Sequence, residues 1–281
     1  MGLGFPVYND FLMSLLKPSL MLMLFLVFLK TDIRHILHSM KNYRLMSFIV
    51  LINMAIMPVL FFLTVNLFDN SLALALLLLT AMPAGVTTPA LTDIVRGNTA
   101  LSASIVIVTS IIAPLTVPLL FWIIGNNDLS VSPWMLFKDL AAIVFVPMII
   151  SQIVKKYFPR IIEKNSHLFT SVNIIVLALM VYAVMGSQRD VMLGESINIL
   201  WKLGFLYLVF ILLHVFGFIT GFKEDKEGKI AITIGSAYIN NGMAIVLAAL
   251  YFDPSILFLM ILSELPWNTL LIPFKKVVQY L

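Results

Sequence analysis

Nine long apolar stretches dominate this chain and leave only short connections between them. They cover about 8–29, 46–67, 71–97, 101–124, 134–154, 166–186, 197–221, 228–252 and 254–274. Each is long enough to cross a bilayer as a helix, which takes roughly 20 apolar residues. Only 11% of the 281 residues are charged, against about 25% in soluble domains. The sequence therefore predicts an all-α transmembrane fold of about nine helices, forming a single domain over residues 1–281.

The basic residues fall mostly on one side of the predicted membrane. Nine spans put the two termini on opposite sides. Most of the 18 lysines and arginines then lie on the C-terminal side: Lys30, Arg34, Lys41, Arg44, Arg96, Lys155, Lys156, Arg160, Lys164, Lys223, Lys226, Lys229, Lys275 and Lys276. Because basic residues mark the cytoplasmic side, we expect a multi-pass protein of the cell membrane. Its N-terminus is then outside and its C-terminus is in the cytoplasm.

The third and eighth spans carry helix-breaking sequences, MPAGVTTP at 82–89 and GSAYINNG at 235–242. A proline removes a backbone donor and clashes with the preceding turn. Thr88 followed by Pro89 predicts an N-cap and the first position of a new half-helix. Asn240 or Asn241 is predicted to cap the second half of span eight in the same way.

The positions of the two breaks predict inverted repeats. Spans 1–4 correspond to spans 6–9, and the odd offset of five turns the second copy over. Paired discontinuous helices in inverted repeats are typical of secondary transporters. Half-helix N-termini carry a positive dipole end and free N–H groups, which favours an anionic solute. The alternative is that Gly and Pro are simply common in transmembrane helices.

A few ionisable residues fall inside predicted spans, where a charge is costly. Glu264 lies about ten residues into the last span, roughly 15 Å deep. It is interpreted either as a proton or cation site or as a carboxyl kept neutral by burial. Asp93 and Arg96 are three apart, which favours a local ion pair over a functional site. His214 is interpreted as a hydrogen-bonded packing residue.

Uncharged polar residues cluster around the two breaks. Asn53 precedes a Met-Pro pair in span two, and Ser102, Thr109 and Ser110 fall on one side of span four. Together with the polar residues of the breaks and of the last span, they are predicted to line a cavity. For any single Ser or Thr, the alternative is a hydrogen bond back to its own helix.

These motifs occur in an order that resembles the bile acid:sodium symporter family. The similarity is strongest over residues 83–118 (PAGVTTPALTDIVRGNTALSASIVIVTSIIAPLTVP), which look like the family's first crossing helix and the span after it. Shorter segments resemble family motifs in the same order: Asn53 with AIMP at 55–58, Leu213-His214 with Gly217 and Gly221, Asn240-Asn241-Gly242, and Trp267-Asn268. The resemblance implies organic anions as substrates and alternating access. It also implies a core of spans 2–4 and 7–9 that moves against a panel of spans 1, 5 and 6.

Most residues that hold sodium in that family are replaced here. The replacements, with the family residue in parentheses, are Gly235 (Glu), Ile239 (Gln), Pro89 (Asn) and Val106 (Thr). Ser102 and Thr88 remain, whereas a sodium site needs about five or six oxygen ligands, by analogy with other hard cations. Na⁺ is therefore a disfavoured coupling ion. Proton coupling through Glu264 or Asp93 and uncoupled transport stay open.

The predicted site residues lie at or near the breaks. We assign substrate binding to Thr87, Thr88, Pro89, Asn240, Asn241 and Asn268. We assign ion or proton coupling to Glu264, Asp93, Ser102, Asn53 and Ser236. No cofactor, metal or nucleic-acid partner is expected, and the partners are a small organic anion and the lipid bilayer.

The leading functional prediction is a secondary transporter of small organic anions. One alternative is an auxin-carrier-like efflux protein; arsenite carriers rely on a cysteine, and this chain has none. Another is a membrane-embedded sensor or binding protein on a transporter fold. An enzyme is not expected, because no catalytic cluster occurs at a plausible depth. The solute, the direction of transport and the oligomeric state are left open.

Overall fold

The computed structural model describes residues 9–30, 43–124, 132–188 and 199–280, and all the regular elements within these ranges are helices. Seven of them are long and apolar enough to cross a membrane. We number the spans in chain order: α1 Phe11–Lys30, α2 Tyr43–Asn66, α4 Thr99–Ile124, α5 Pro133–Tyr157, α6 Pro159–Ser187, α7 Ile199–Thr220 and α9 Pro254–Gln279. The numbers α3 and α8 are kept for two spans built from shorter helices, over 70–94 and 226–251. The predicted all-α transmembrane fold is confirmed.

Spans α3 and α8 are each built from two shorter helices, as the breaker sequences predict. The first is divided into α3a (Asn70–Thr80) and α3b (Thr88–Ile94). The second is divided into α8a (Lys226–Ala237) and α8b (Asn241–Tyr251). The connecting residues 81–87 and 238–240 meet each other, and we call these two segments the crossing.

Other irregularities are local. The helix that contains α1 begins at Asn9, and it is interrupted between Asn9–Ser14 and Leu16–Lys30. In α2 a π-helical turn, Ile52–Ile56, separates Tyr43–Leu51 from Met57–Asn66. The last span consists of Pro254–Leu262, Glu264–Thr269 and Leu271–Gln279.

One predicted boundary is wrong. The sequence places a connection over residues 155–165, whereas α5 continues to Tyr157 and α6 begins at Pro159. Pro159 occupies the first helical position, where its missing N–H costs nothing. The first turns of α6 carry Arg160 and Lys164 and extend beyond the apolar part of the span, so hydropathy does not report them.

The two broken helices lie at the centre of the protein. Every residue of α8b from Asn241 to Ala248 is buried, and the stretch Leu76–Leu79 of α3a is fully buried. By contrast, α6 buries only Ile162, Met180, Ala183 and Val184. The centre of the protein is therefore the place where the two helices lose their backbone hydrogen bonds.

Helix packing places the remaining spans around this centre. Helix α1 packs against α5 and α6, α7 packs against α8a, and α4 contacts both α5 and α8a. The close α7–α8a contact depends on Gly217, because a Cβ there would lie 2.8 Å from the Thr233 Cα atom. The panel of spans 1, 5 and 6 stays a prediction, since packing in one conformation does not show which helices move together.

Candidate functional site

The two broken segments bind each other through their backbones. The Gly85 N–H donates to the Tyr238 carbonyl at 2.7 Å, and the Asn240 N–H donates to the Pro83 carbonyl at 2.7 Å. Ala84 and Ile239 form an antiparallel bridge between these two bonds. An antiparallel crossing is the geometry expected when two related helices enter the membrane from opposite sides.

Gly85 is required at the crossing by close approach. A Cβ added there would lie 2.8 Å from the Tyr238 carbonyl oxygen and 3.0 Å from the Ile239 oxygen. Both of these are backbone atoms and cannot rotate away as a side chain can. The glycine in the breaker sequence is therefore explained by the distance between the two backbones.

Side chains from α4 and α9 satisfy other backbone groups of the crossing. The Thr109 hydroxyl accepts a hydrogen bond from the Ala84 N–H at 3.1 Å. The Trp267 indole N–H donates to the Ile239 carbonyl at 3.0 Å. Backbone groups at membrane depth must be paired or face water, and here the protein itself pairs several of them.

One of the two predicted caps is confirmed and the other is wrong. The Asn240 side chain accepts from the Met243 N–H at 3.1 Å and caps α8b. Thr88, in contrast, is the first residue of α3b rather than its N-cap, and its hydroxyl donates to the Gly85 carbonyl at 2.8 Å. A hydroxyl inside the first turn bonds backwards because carbonyls of the preceding turn are within its reach.

Glu264 lies in a hydrogen-bonded network next to the start of α8b. It accepts from the Asn241 side-chain amide at 3.1 Å and from that of Asn268 at 3.0 Å. The Ser263 hydroxyl donates to the Asn241 side-chain oxygen at 3.1 Å. Three predicted site residues, Asn241, Glu264 and Asn268, are thus brought together. Over the described ranges, no Lys, Arg or His forms an ion pair with this carboxyl.

A second polar contact joins α2 to α8a. The Ser236 hydroxyl lies 3.0 Å from the Asn53 side-chain oxygen, and Asn53 belongs to the π-helical turn of α2. Turns of this kind occur often at functional sites. Asn53 and Ser236, both predicted coupling residues, are therefore brought together as well.

Several buried polar atoms around the crossing have no partner among the described residues. They are the amide nitrogens of Asn53 and Asn240, the hydroxyls of Ser110 and Tyr238, and the His214 Nε2 atom. Buried polar groups are nearly always satisfied, so these atoms are the groups of the crossing that a water molecule or a polar solute would pair. Tyr238 packs edge-on against both His214 and Trp267, with ring centroids 5.3 and 5.5 Å apart.

Two of the positions where the family resemblance implies replaced sodium ligands, Gly235 and Val106, are packed in protein. A Cβ at Gly235 would lie 2.9 Å from a methyl carbon of Ile105. Val106 is 4% exposed, so it too is packed in protein. The Ser102 hydroxyl, which the resemblance implies as a retained ligand, accepts a hydrogen bond from Thr92 at 3.0 Å. A glutamate at position 235 would have to displace Ile105.

Other predicted residues lie apart from this network. Thr87 and Asp93 are exposed and Pro89 is half-buried. The expected Asp93–Arg96 ion pair is wrong, since no such pair occurs in the part of the chain that the structure describes. Because α3b ends at Ile94 and Arg96 has a φ of 59°, Arg96 lies outside the helix and the three-residue spacing does not bring the two charges together.

The sequence prediction missed one charged cluster. The Lys17 ammonium lies 2.7 Å from an Asp139 carboxylate oxygen. The Tyr251 hydroxyl donates to the other oxygen of Asp139. This cluster joins α1, α5 and α8b. Lys17 is 122 positions from Asp139 in the sequence, and Tyr251 is 112 positions from it. No local sequence pattern reports pairs so distant in the chain.

Two cavities lie outside the crossing. One, of about 490 Å³, lies between α2 and α4 and is lined mainly by apolar side chains. The other, of about 480 Å³, lies where α3b, α8a and α9 end or begin on the same side. Neither is lined by residues of the crossing, so the solute cavity there stays a prediction.

Comparison with known proteins identifies the family. A model described as the sodium bile acid symporter family matches residues 17–195, which include α3 and its break but not α8. An uncharacterized sodium-dependent transporter of Bacillus subtilis (strain 168), YocS, is 27% identical over 189 residues, covering 65% of this chain and 57% of the relative. The chain thus aligns with little more than half of that relative's length. Since the family match covers more than half of the 281-residue chain, the chain belongs to the sodium bile acid symporter family.

Proposed function

We propose that this protein is a secondary transporter of small organic anions that works by alternating access. The observation that carries the proposal is the crossing itself: two helices broken at membrane depth and hydrogen-bonded to each other, with unpaired polar atoms around them. Such broken helices are the usual place for a solute near the bilayer midplane. Family membership and the transporter relative support the same conclusion.

An anionic substrate is favoured by the donors that remain free. The Asn240 amide is oriented by its cap on the Met243 N–H, which leaves its nitrogen as an unpaired donor. The Asn53 nitrogen is unpaired as well. Both atoms donate only, so they suit the oxygens of a carboxylate or sulfonate. The N-terminus of α8b adds a positive dipole end at Asn241.

We infer that Glu264 couples transport to protons. Its carboxyl is held by two amides that also belong to the predicted substrate site. An ionised carboxylate and a bound anion would repel each other across so short a distance. Binding of the anion therefore favours the protonated form of Glu264, and by linkage protonation favours binding.

Sodium coupling is the competing hypothesis. The relative's name describes that protein as sodium-dependent. In this chain, the glutamate that the resemblance implies at position 235 would have to displace Ile105, which lies 2.9 Å from a Cβ built on Gly235. The proposal is therefore proton coupling. From the distribution of basic residues, the proposed orientation has the N-terminus outside and the C-terminus in the cytoplasm.

The test is thermal stability and uptake of the purified full chain with a panel of organic anions. Ligands that bind the folded state raise its apparent stability. We expect the same anions to stabilise the protein in sodium and in choline, and to stabilise it more at pH 5.5 than at pH 7.5. In liposomes, we expect an inward proton gradient to drive uptake without sodium.

Glu264→Gln should abolish the pH dependence and the response to the proton gradient. Glu163→Gln, at an exposed carboxylate on α6, is the matched control and should behave as the wild type. Uptake that requires sodium would overturn the coupling. Binding of anions without any flux would instead favour a sensor or binding protein on the transporter fold.

A further inference from the structure

A basic pocket of about 480 Å³ lies at one end of the two broken helices. Its lining includes Arg96 just beyond α3b, Lys226 at the first position of α8a, and Lys275 near the end of α9. Three separate elements of the chain thus contribute one cation each. All three residues belong to the basic side that the charge distribution predicts to be cytoplasmic.

The floor of the pocket is apolar and fixed in place. Val95, Ile230 and Val278 line it and are 3%, 2% and 6% exposed. A Cβ at Gly97 would lie 2.5 Å from an Ile230 methyl carbon, so the connection after α3b lies directly on α8a. The Asn98 N–H also donates to the Glu227 carbonyl at 3.0 Å. The apolar floor is therefore fixed by packing and by a backbone hydrogen bond, while the three cations around it are exposed.

The three cations have no acidic partner in the described part of the chain. The nearest acidic residues in sequence, Asp93, Asp225 and Glu227, are not part of the lining, and none of them forms an ion pair with Arg96 or Lys226. Three like charges around one pocket repel each other and destabilise it in the absence of an anion. The pocket combines this unbalanced charge with an apolar floor.

We propose that this pocket binds the phosphate group of an anionic phospholipid from the cytoplasmic leaflet. Basic pockets between transmembrane helices on the cytoplasmic side suit such headgroups. The Arg96 guanidinium can bind phosphate oxygens in a bidentate manner, with the lysines as point charges. A free phosphate offers the same chemistry, but the apolar floor next to the cations suits an amphipathic ligand. The proposal rests on the membrane fold and not on transport.

The test uses the purified full chain, delipidated in a neutral detergent. Thermal unfolding is measured with added phosphatidylglycerol, phosphatidylcholine or inorganic phosphate. We expect phosphatidylglycerol to raise the Tm by about 5 °C, and the other two additions to have no effect. The double variant Lys226→Gln/Lys275→Gln should lose most of this rise. Lys276→Gln, at an exposed lysine outside the lining, should keep it.

Arg96→Gly provides an independent variant that is expected to fold, because glycine adopts a φ of 59° without strain. Native mass spectrometry should show fewer retained phosphatidylglycerol molecules on Arg96→Gly than on the wild type. An equal rise in Tm for the double variant and Lys276→Gln would overturn the site. A rise produced by inorganic phosphate alone, and lost in the double variant, would overturn the lipid assignment in favour of a free phosphate. Neither result bears on uptake of organic anions.

Discussion

Replacing Gly85 by alanine should separate the two halves of the crossing. The added Cβ would lie 2.8 Å from the Tyr238 oxygen, 3.0 Å from the Ile239 oxygen and 3.3 Å from the Ile239 carbonyl carbon. Ordinary contacts of this kind need about 0.5 Å more. Because all three atoms are backbone, relief requires the segments to move apart. That movement stretches the Gly85–Tyr238 and Asn240–Pro83 hydrogen bonds, both 2.7 Å.

The cost of this substitution has two parts. Overpacking of a well-packed site costs about 1–3 kcal/mol. A buried hydrogen bond that is lost or left half-made adds about 1–3 kcal/mol. Gly85→Ala should therefore reduce the free energy of unfolding by roughly 2–5 kcal/mol, which lowers the Tm by on the order of 10 °C.

The measurement is the Tm of the purified protein in detergent, with uptake in liposomes as a second readout. Gly204→Ala is the matched control, because a Cβ at this exposed position in α7 meets nothing within 4 Å. That control should leave the Tm unchanged or raise it by the small gain in helix propensity, about 0.5–1 kcal/mol. If Gly85→Ala and Gly204→Ala had equal Tm values and equal uptake, the argument from the backbone contact would be refuted.

Two further substitutions test contacts that hold the broken helices in place. Thr109→Val leaves the buried Ala84 N–H without its acceptor, and should reduce the free energy of unfolding by about 1–3 kcal/mol, measured as a lower Tm. The control is Ser110→Ala, at a hydroxyl without a partner in the described structure, which should leave the Tm unchanged. Equal losses in the two variants would contradict the assigned bond. Asp139→Asn weakens the cluster with Lys17, whose side chains are 28% and 33% exposed, so the loss should be about 1 kcal/mol and smaller in high salt. Adding Lys17→Met to Asp139→Asn should cost little more, whereas additive losses would show that the two residues act independently.

The parts of the fold that the sequence predicts are those encoded locally. Pro83 and Pro89 restrict their own backbone, and Gly85 has weak helix propensity, so the break in span three can be located to within a few residues without a structure. The Asn240 cap follows from the same local chemistry. Thr88 shows how far this reasoning extends: the break is correct, but the position of the cap is one residue too late.

The contacts that the sequence does not predict are between residues distant in the chain. The Asp139 carboxylate has partners 122 and 112 residues away, and only the packing of α1 against both α5 and α8b brings them together. The contact of Trp267 with the Ile239 carbonyl depends on how α9 packs against the crossing. For the same reason the sequence does not predict the lining of the basic pocket, since its three cations come from three separate elements.

The structure also shows that the crossing is held together without the ligands that the family resemblance implies for sodium. The bonds that hold the crossing together are made by backbone groups and by Thr109 and Trp267, none of which needs a bound cation. The resemblance implies a glutamate where this chain has Gly235, and Ile105 packs directly on that glycine. A carboxyl is still present beside the crossing, but it is Glu264 of α9, held by Asn241. The crossing can therefore keep its geometry without a carboxylate at position 235. Under the proposed proton coupling, the carboxyl that responds to a substrate anion is that of Glu264 on a different helix, and a single carboxyl can bind one proton.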